Sequence, residues 1–490
     1  MGIRNNRKIT KQRMNCMKVL IVGGVAGGMS AATRLRRLNE KAEIVVFDKG
    51  PYVSFANCGL PYHVSGIIED RESLLVQTPE ALYNRFRIDV RPHSEVVAIN
   101  VEKRTITVEG TDGTYEESYD KLILSLGAEP IIPPIKGYDE AENVFTLRNI
   151  PDLDAIMANL NTTQPKEAIV VGGGFIGLEM VENLVERGLN VTLVEKAPQI
   201  LTPLDEEMAI FVENELLKNN VKIIKGESAV EFQNAGKKVI LENGEVLNSD
   251  LTILSIGVKP ATEIVGEAGI ELGIRGGILV DDRYETSIED IYAVGDAILV
   301  KQQITGEDAL ISLASPANRQ GRQVADIIAG YDRLNRGSIG TSIVRVFDIS
   351  AASTGLNERQ VKAAGFDYAV THTSAKHHAG YYPGAKMIEL KVIFDAKTGE
   401  LYGAQAVGEK GIDKRIDIIA TAIKGNLTVY DLPELEFTYA PPFGSAKDPV
   451  NMAGYQGINL LEGFTDTIQW YELEDKMAQA KEKINAANLA

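Results

Sequence analysis

Two cysteines stand in 490 residues, and their surroundings separate them. Cys16 lies in a basic N-terminal stretch, whereas Cys58 sits within Val53-Ser54-Phe55-Ala56-Asn57-Cys58-Gly59-Leu60-Pro61-Tyr62. A structural disulfide needs a partner at a fixed position, and a chain terminus is a poor place for one. Pro61 suits the first turn of a helix, which puts Asn57 and Cys58 at its N-terminal end. Free N–H groups and the positive end of the helix dipole favour an anion there. The expectation is a thiolate, with the Cys58 pKa brought down from ~8.5 into the range ~3.5–7.5. The alternative is a buried cysteine acting as a small hydrophobe. The flanks weigh against that, because they are two nucleotide-binding units.

The first unit begins at Lys18–Val22, an apolar run that reads as a buried strand. Gly23 to Gly28 form the turn, and a helix is expected over 29–38. A second strand over 43–47 ends in Asp48, an acid placed to hold a ribose hydroxyl. Val25 stands where G-x-G-x-x-G calls for its second glycine. The second unit carries the complete motif, Gly172-Gly173-Gly174-Phe175-Ile176-Gly177, after a strand over 168–171. Its second strand, 190–194, ends in Glu195. Two units in full strand–turn–helix–strand–acid context predict two Rossmann-like dinucleotide sites.

The two halves repeat further on. Residues 120–130 (DKLILSLGAEP) match 250–260 (DLTILSIGVKP), each after a hairpin with an Asp112-Gly113 or Asn243-Gly244 turn. The stretch from Gly23 to Gly127 is longer than that from Gly172 to Gly257. The surplus is most simply placed between Asp48 and the hairpin, where Cys58 lies. A strand over 286–296 should deliver Asp296, and a helix over 316–329 with Pro316 in its first turn follows. Such a helix N-terminus would stabilise negative charge on a reduced flavin ring; an ordinary sheet edge with no ligand is the alternative.

From about Ser338 the pattern becomes antiparallel strands, over 343–347, 368–373, 387–394 and 401–407, with a helix over 414–424. Residues 461–490 hold the only tryptophan, Trp470, and a helical stretch from Leu473, too little for another domain.

A net charge of −17 argues against a nucleic-acid partner. So few cysteines fit a reducing cytoplasm. Arg4, Arg7, Lys8, Lys11, Arg13 and Lys18, followed by an apolar run, imitate a signal peptide. Glycines break that run, so it reads better as strand and phosphate turn, with Met14 or Met17 as the natural start and 1–16 as an extension or tag. No apolar run reaches the ~18 residues of a membrane span.

Taken together, these features resemble the FAD-dependent pyridine nucleotide-disulfide oxidoreductases over roughly residues 17–460. The resemblance implies an α/β fold with two Rossmann-like, glutathione-reductase-like domains and a C-terminal α+β dimerisation domain. FAD would occupy 17–148 with 262–337, the nicotinamide 149–261, and the dimer contacts 338–460. The stretch S-F-x-N-C-G-L-P-Y at 54–62 is similar to the single-cysteine branch, the coenzyme A disulfide reductases and their persulfide- or polysulfide-reducing relatives. Members resembling glutathione reductase use C-x4-C, and the second cysteine is missing at Cys58. The branch's NADH oxidases and peroxidases carry a His in the first glycine turn, where this chain has Ala26.

What the resemblance implies for single residues is as follows. FAD would contact Gly23, Gly28, Asp48 and Asp296; NADH, or alternatively NADPH, would contact Gly172, Gly174, Gly177 and Glu195. Coenzyme A, as substrate or as a mixed disulfide on Cys58, would meet Ser30, Arg34, Arg37, Ser54, Asn57, Gln77, Asn318 and Lys447. Tyr381 in H-A-G-Y-Y-P-G and Tyr439 in F-T-Y-A-P-P would serve the partner's Cys58 across a homodimer, with a phenol of pKa ~10 giving the leaving thiolate its proton. The expected activity is reduction of a small-molecule disulfide, persulfide or polysulfide. The alternatives are an NADH oxidase or peroxidase cycling a Cys58 sulfenic acid, and a flavin redox sensor without turnover.

Overall fold

Strand Lys18–Val22 lies at the centre of a parallel five-stranded sheet in the order Ile291–Ala293, Lys121–Leu124, Lys18–Val22, Glu43–Phe47, Asp89–Arg91. Val19, Leu20 and Ile21 are completely buried, each contributing roughly 1.5–3 kcal/mol of hydrophobic stabilisation. The run is apolar without alternation because helices or loops cover both faces of a parallel sheet. The computed structural model describes residues 17–488; the expected extension or tag at 1–16 lies outside them.

A second parallel sheet repeats this order, with Lys222–Lys225, Asn190–Glu195, Glu167–Val171, Leu251–Leu254 and Val144–Phe145. In each half a glycine makes the turn that leaves the central strand. Gly23 has φ +100° and Gly172 φ +109°, and a Cβ would come within 2.0 Å of the Ser125 carbonyl oxygen or 2.4 Å of that of Ser255. Ser125 and Ser255 are equivalent positions of the repeat noted above. The repeat's last three residues, Ala128–Pro130 and Val258–Pro260, pair with each other as antiparallel strands.

Hairpins with the expected Asp-Gly and Asn-Gly turns form within the antiparallel sheets Glu95–Asn100, Thr105–Gly110, Gly113–Ser118 and Ala229–Gln233, Lys238–Leu241, Val246–Asn248. Some boundaries differ from expectation. The first helix is Ala26–Leu38 and starts inside the glycine turn. The later helix starts at Ala314, with Pro316 within its first turn. Only Ile291–Ala293 of the stretch 286–296 is strand, because Thr286 and Ile288 bond locally through the Thr286 hydroxyl.

The chain divides into two compact units, one running to Pro198 and including Asn220–Gly340, the other made of Gln199–Asn219 and the chain from Thr341. Residues 199–219 thus group with the C-terminal unit although they fall within the stretch 149–261. The second unit is an antiparallel sheet in the order Ser342–Val346, Ile349–Gly355, Leu401–Gly408, Met387–Asp395, Tyr368–Lys376, carrying helices Ile412–Lys424 and Pro449–Leu461.

At its centre Lys391 is wholly buried, with its ammonium 2.7 Å from Asp205, 2.6 Å from Glu358 and in contact with Glu207. Trp470 Nε1–H donates to Glu207 at 3.1 Å and the Tyr471 hydroxyl to Glu358 at 2.9 Å, so the C-terminal segment is fastened to this cluster. Burial opposes ionisation of Glu207, yet bonds from His372 and Lys391 hold its pKa down to about 2. Helix Leu473–Asn488 follows. Among the described residues no helix is long and apolar enough to cross a membrane.

Candidate active site

A cleft of about 740 Å³ in the first unit is lined by Gly23, Asp48, Cys58, Ser125, Arg148 and Asp296, among others. The first glycine turn, the acid after it and the thiol therefore share one cavity. Asp48 accepts the Gly24 N–H at 2.8 Å and the Gly50 N–H at 2.9 Å; burial raises its pKa against those two bonds. Val25 also lines the cleft, with φ −107°, so no glycine is required there.

The cysteine stretch is tied down at several points. Ser54 takes a left-handed conformation, φ 50°, which for a non-glycine residue costs on the order of 1 kcal/mol. The conformation is fixed by bonds from Ser54 N–H to the Gly24 carbonyl at 2.8 Å and from Val76 N–H to the Ser54 carbonyl at 3.1 Å. Asn57 Nδ2 donates to the Arg148 carbonyl at 2.9 Å. Cys58 lies in a 3-10 turn, Asn57–Gly59, ahead of the short helix Leu60–Ser65, with Pro61 in its first turn as expected.

The lowered thiol pKa expected for that position is corrected by the structure. Cys58 is exposed and free, but protein crowds the sulfur enough that desolvation pushes its pKa up. Glu179 and Asp296 push it the same way, and only in part does Arg148 oppose them. A six-residue helix gives too weak a dipole to reverse this.

The second glycine turn mirrors the first. Glu195 accepts the Gly173 N–H and the Ala197 N–H, both at 2.6 Å, as Asp48 does with Gly24 and Gly50. Gly174 faces open space at the N-terminus of helix Phe175–Glu186, and Gly177 packs so closely that a Cβ would lie 1.9 Å from the Gly172 carbonyl oxygen. The N-terminus of this helix is thus open beside Gly174, a place where backbone N–H groups favour an anion.

The residues assigned to coenzyme A fall into separate places. Ser30 and Asn318 hydrogen-bond at 2.6 Å, and Asn57 adjoins the thiol. Arg34 pairs with the buried Asp326 at 2.6 Å, which also takes Arg333, leaving the trio with net positive charge. Arg37 is exposed, its guanidinium 5.0 Å from the Phe86 ring centre; Gln77 is half-buried. Lys447 belongs to the second unit and lies 5.6 Å above the Tyr455 ring.

In that unit the Tyr381 and Tyr439 hydroxyls are 3.3 Å apart, and this bond raises the Tyr381 pKa. Their loops are joined by Ala379 N–H to the Gly444 carbonyl at 2.9 Å. Arg415, paired with the buried Asp448 at 2.6 Å, also donates to the His377 carbonyl.

Residues 17–321 match the family model described as pyridine nucleotide-disulphide oxidoreductase, and residues 341–449 match the dimerisation domain of that family. The chain belongs to the pyridine nucleotide-disulphide oxidoreductases. This oxidoreductase is 38% identical over 442 residues to coenzyme A disulfide reductase of Staphylococcus aureus (strain JH9), covering 90% of this chain and 99% of the relative. Among solved structures, reduced CoADR-RHD of Bacillus anthracis is 51% identical with a TM-score of 0.94, covering 95% of this chain and 84% of that one. An NAD-dependent persulfide reductase from A. fulgidus is 34% identical with a TM-score of 0.91, over 94% and 86% of the two chains.

The family is FAD-dependent and draws on NAD(P)H. The long cleft with an acid opposite a glycine turn suits FAD, and the second turn suits the nicotinamide dinucleotide. Two residues at the thiol of this oxidoreductase escape sequence reasoning, Arg148 and Glu179. Arg148 sits in an unremarked Leu147-Arg148-Asn149 before a helix, and Glu179 reads as one more acid on a helix face. Burial, then the neighbouring Glu182, raise the Glu179 pKa to about 7.

Proposed function

We propose that this oxidoreductase uses NADH to reduce coenzyme A disulfide or a related persulfide or polysulfide at Cys58. The observation that carries the reading is the single cleft lined by both Asp48 and Cys58. FAD held there, by Gly23, Gly28, Asp48 and Asp296, would accept a hydride from the nicotinamide and deliver two electrons to sulfur.

Cys58 has no second protein thiol beside it among the described residues, and in this reading its disulfide partner comes from the substrate. The Cys58 thiolate attacks one sulfur of the substrate disulfide, forming a mixed disulfide and releasing one thiolate. Two electrons from NADH then cleave the mixed disulfide, returning Cys58 and releasing the second thiol after protonation. The names of the relatives support coenzyme A as the thiol. Ser30, Arg34, Arg37, Ser54, Asn57, Gln77, Asn318 and Lys447 are the residues we assign to it.

Glu195, with Gly172, Gly174 and Gly177, would hold NADH and repel a 2′-phosphate. Tyr381 and Tyr439 would supply protons in a homodimer, which the dimerisation-domain match supports. FAD, nicotinamide and dimer functions fall to 17–148 with 262–337, to 149–261 and to 338–460, and the scarcity of cysteine suits a reducing cytoplasm. The test is NADH consumption with and without coenzyme A disulfide, with released thiol counted. Two thiols per NADH are expected; consumption that ignores the disulfide and follows dioxygen would overturn the reading.

A further inference from the structure

Arg148 meets the cysteine turn at two levels. Its carbonyl accepts Asn57 Nδ2 at 2.9 Å, one residue from Cys58. Its own N–H donates to Asp152 at 2.7 Å, and Asn149 caps the same turn by accepting the Asp152 N–H at 2.9 Å. The carbonyl is thus anchored to the start of helix Ile150–Thr163 rather than to a mobile loop. Arg148 lines the cleft together with Cys58, and its guanidinium donates to Asp296 at 2.9 Å.

The other charged groups around the sulfur are accounted for. Glu179 acts from helix Phe175–Glu186, which packs on helix Leu60–Ser65, the one after the cysteine turn, through Ser65 Oγ to Asn183 Oδ1 at 2.6 Å. Asp296 approaches from the segment after Ile291–Ala293. Arg187 is engaged by the Val64 carbonyl and Asn161, and His63 by the Ile68 carbonyl at 2.7 Å. Among the described residues two carboxylates therefore oppose a thiolate, and Arg148 is the cation that answers them.

We propose that Arg148 is the positioning residue of the redox thiol, its carbonyl holding the cysteine turn through Asn57 and its guanidinium, aimed by Asp296, offsetting the two carboxylates. The proposal rests on the reading of Cys58 as the redox sulfur. Alkylation tests it without any disulfide substrate. In FAD-loaded protein bearing Cys16→Ser, the rate of Cys58 alkylation is followed against pH. Arg148→Gln should move the midpoint up by about one unit, slowing alkylation at pH 7 roughly tenfold, whereas Arg148→Lys should stay near the parent.

Equal midpoints for Gln and parent would overturn the proposal. Where Arg148→Gln fails to fold or to keep FAD, Glu179→Gln decides instead. Removing that opposing charge should lower the midpoint, and no movement would overturn the charge balance. A shifted midpoint without disulfide turnover would sink the reductase reading alone.

Discussion

Lys391 and Asp205 meet in the interior of the second unit, ammonium to carboxylate at 2.7 Å, with no solvent reaching the lysine. Glu207 and Glu358 complete the cluster, so removing the ammonium takes away the cation that the three carboxylates share and leaves only Lys362 on Glu358 and His372 on Glu207. Stranding buried charges costs ~3–5 kcal/mol. Lys391→Met is expected to destabilise the second unit by that amount. Denaturant unfolding followed by Trp470 emission reads it directly, since Trp470 bonds Glu207 and is the chain's only tryptophan. An unchanged midpoint would show that the cluster contributes nothing.

Cys58→Ser should retain FAD and its reduction by NADH while disulfide reduction falls below one per cent of the parent. Hydride transfer to a flavin needs no thiol, whereas electron exit to a disulfide does. Anaerobic flavin bleaching by NADH checks the first half and thiol release checks the second.

NADH should be preferred over NADPH by at least about tenfold in kcat/KM. Both Glu195 oxygens are fixed by the Gly173 and Ala197 N–H groups, and under the proposed function this carboxylate meets the ribose 2′-hydroxyl. Lys196 beside it tempers the repulsion of a 2′-phosphate. Equal kcat/KM for the two cofactors would dispose of this assignment.

Glu179 makes stability depend on pH. Its carboxyl titrates at about 7 in the folded chain, against ~4.3 when unfolded, so the folded state binds the proton more tightly between these values. The contribution is fully present below ~4.3 and is lost as pH rises through about 7, on the order of 3 kcal/mol in total. Glu179→Gln removes this loss. Its melting temperature should come closest to the parent's near pH ~4 and exceed it by a growing margin towards pH 8; a gap that does not change with pH would contradict the assignment.

Much of the architecture is legible because glycine has few reasons to stand where it does. Gly23 and Gly172 mark the turns, and the matched runs at 120–130 and 250–260 locate a strand in each sheet. The thiol's ionisation is not legible, since it depends first on the crowding of the sulfur by the fold and then on Glu179 and Arg148, both remote in sequence. Lys391 is hidden for the same reason. A lysine within Met387–Asp395 reads as a solvent-facing position until Asp205, Glu207 and Glu358 are brought to it. Arg34 likewise reads as a free phosphate partner, and only the fold reveals Asp326 beside it.

The fifth strand of each parallel sheet has an evolutionary consequence. Ile291–Ala293 completes the first sheet but follows the second glycine turn in the chain, and Val144–Phe145 completes the second sheet but precedes that turn. If the halves descend from one duplicated ancestor, each has since lent an edge to its sibling. The strands of the second sheet all fall within 144–254, whereas the first sheet closes only with Ile291–Ala293, so the second half can be moved as one block and the first cannot. The thiol-bearing half, split around its sibling, stays whole only with that sibling in place or with a new link across the gap.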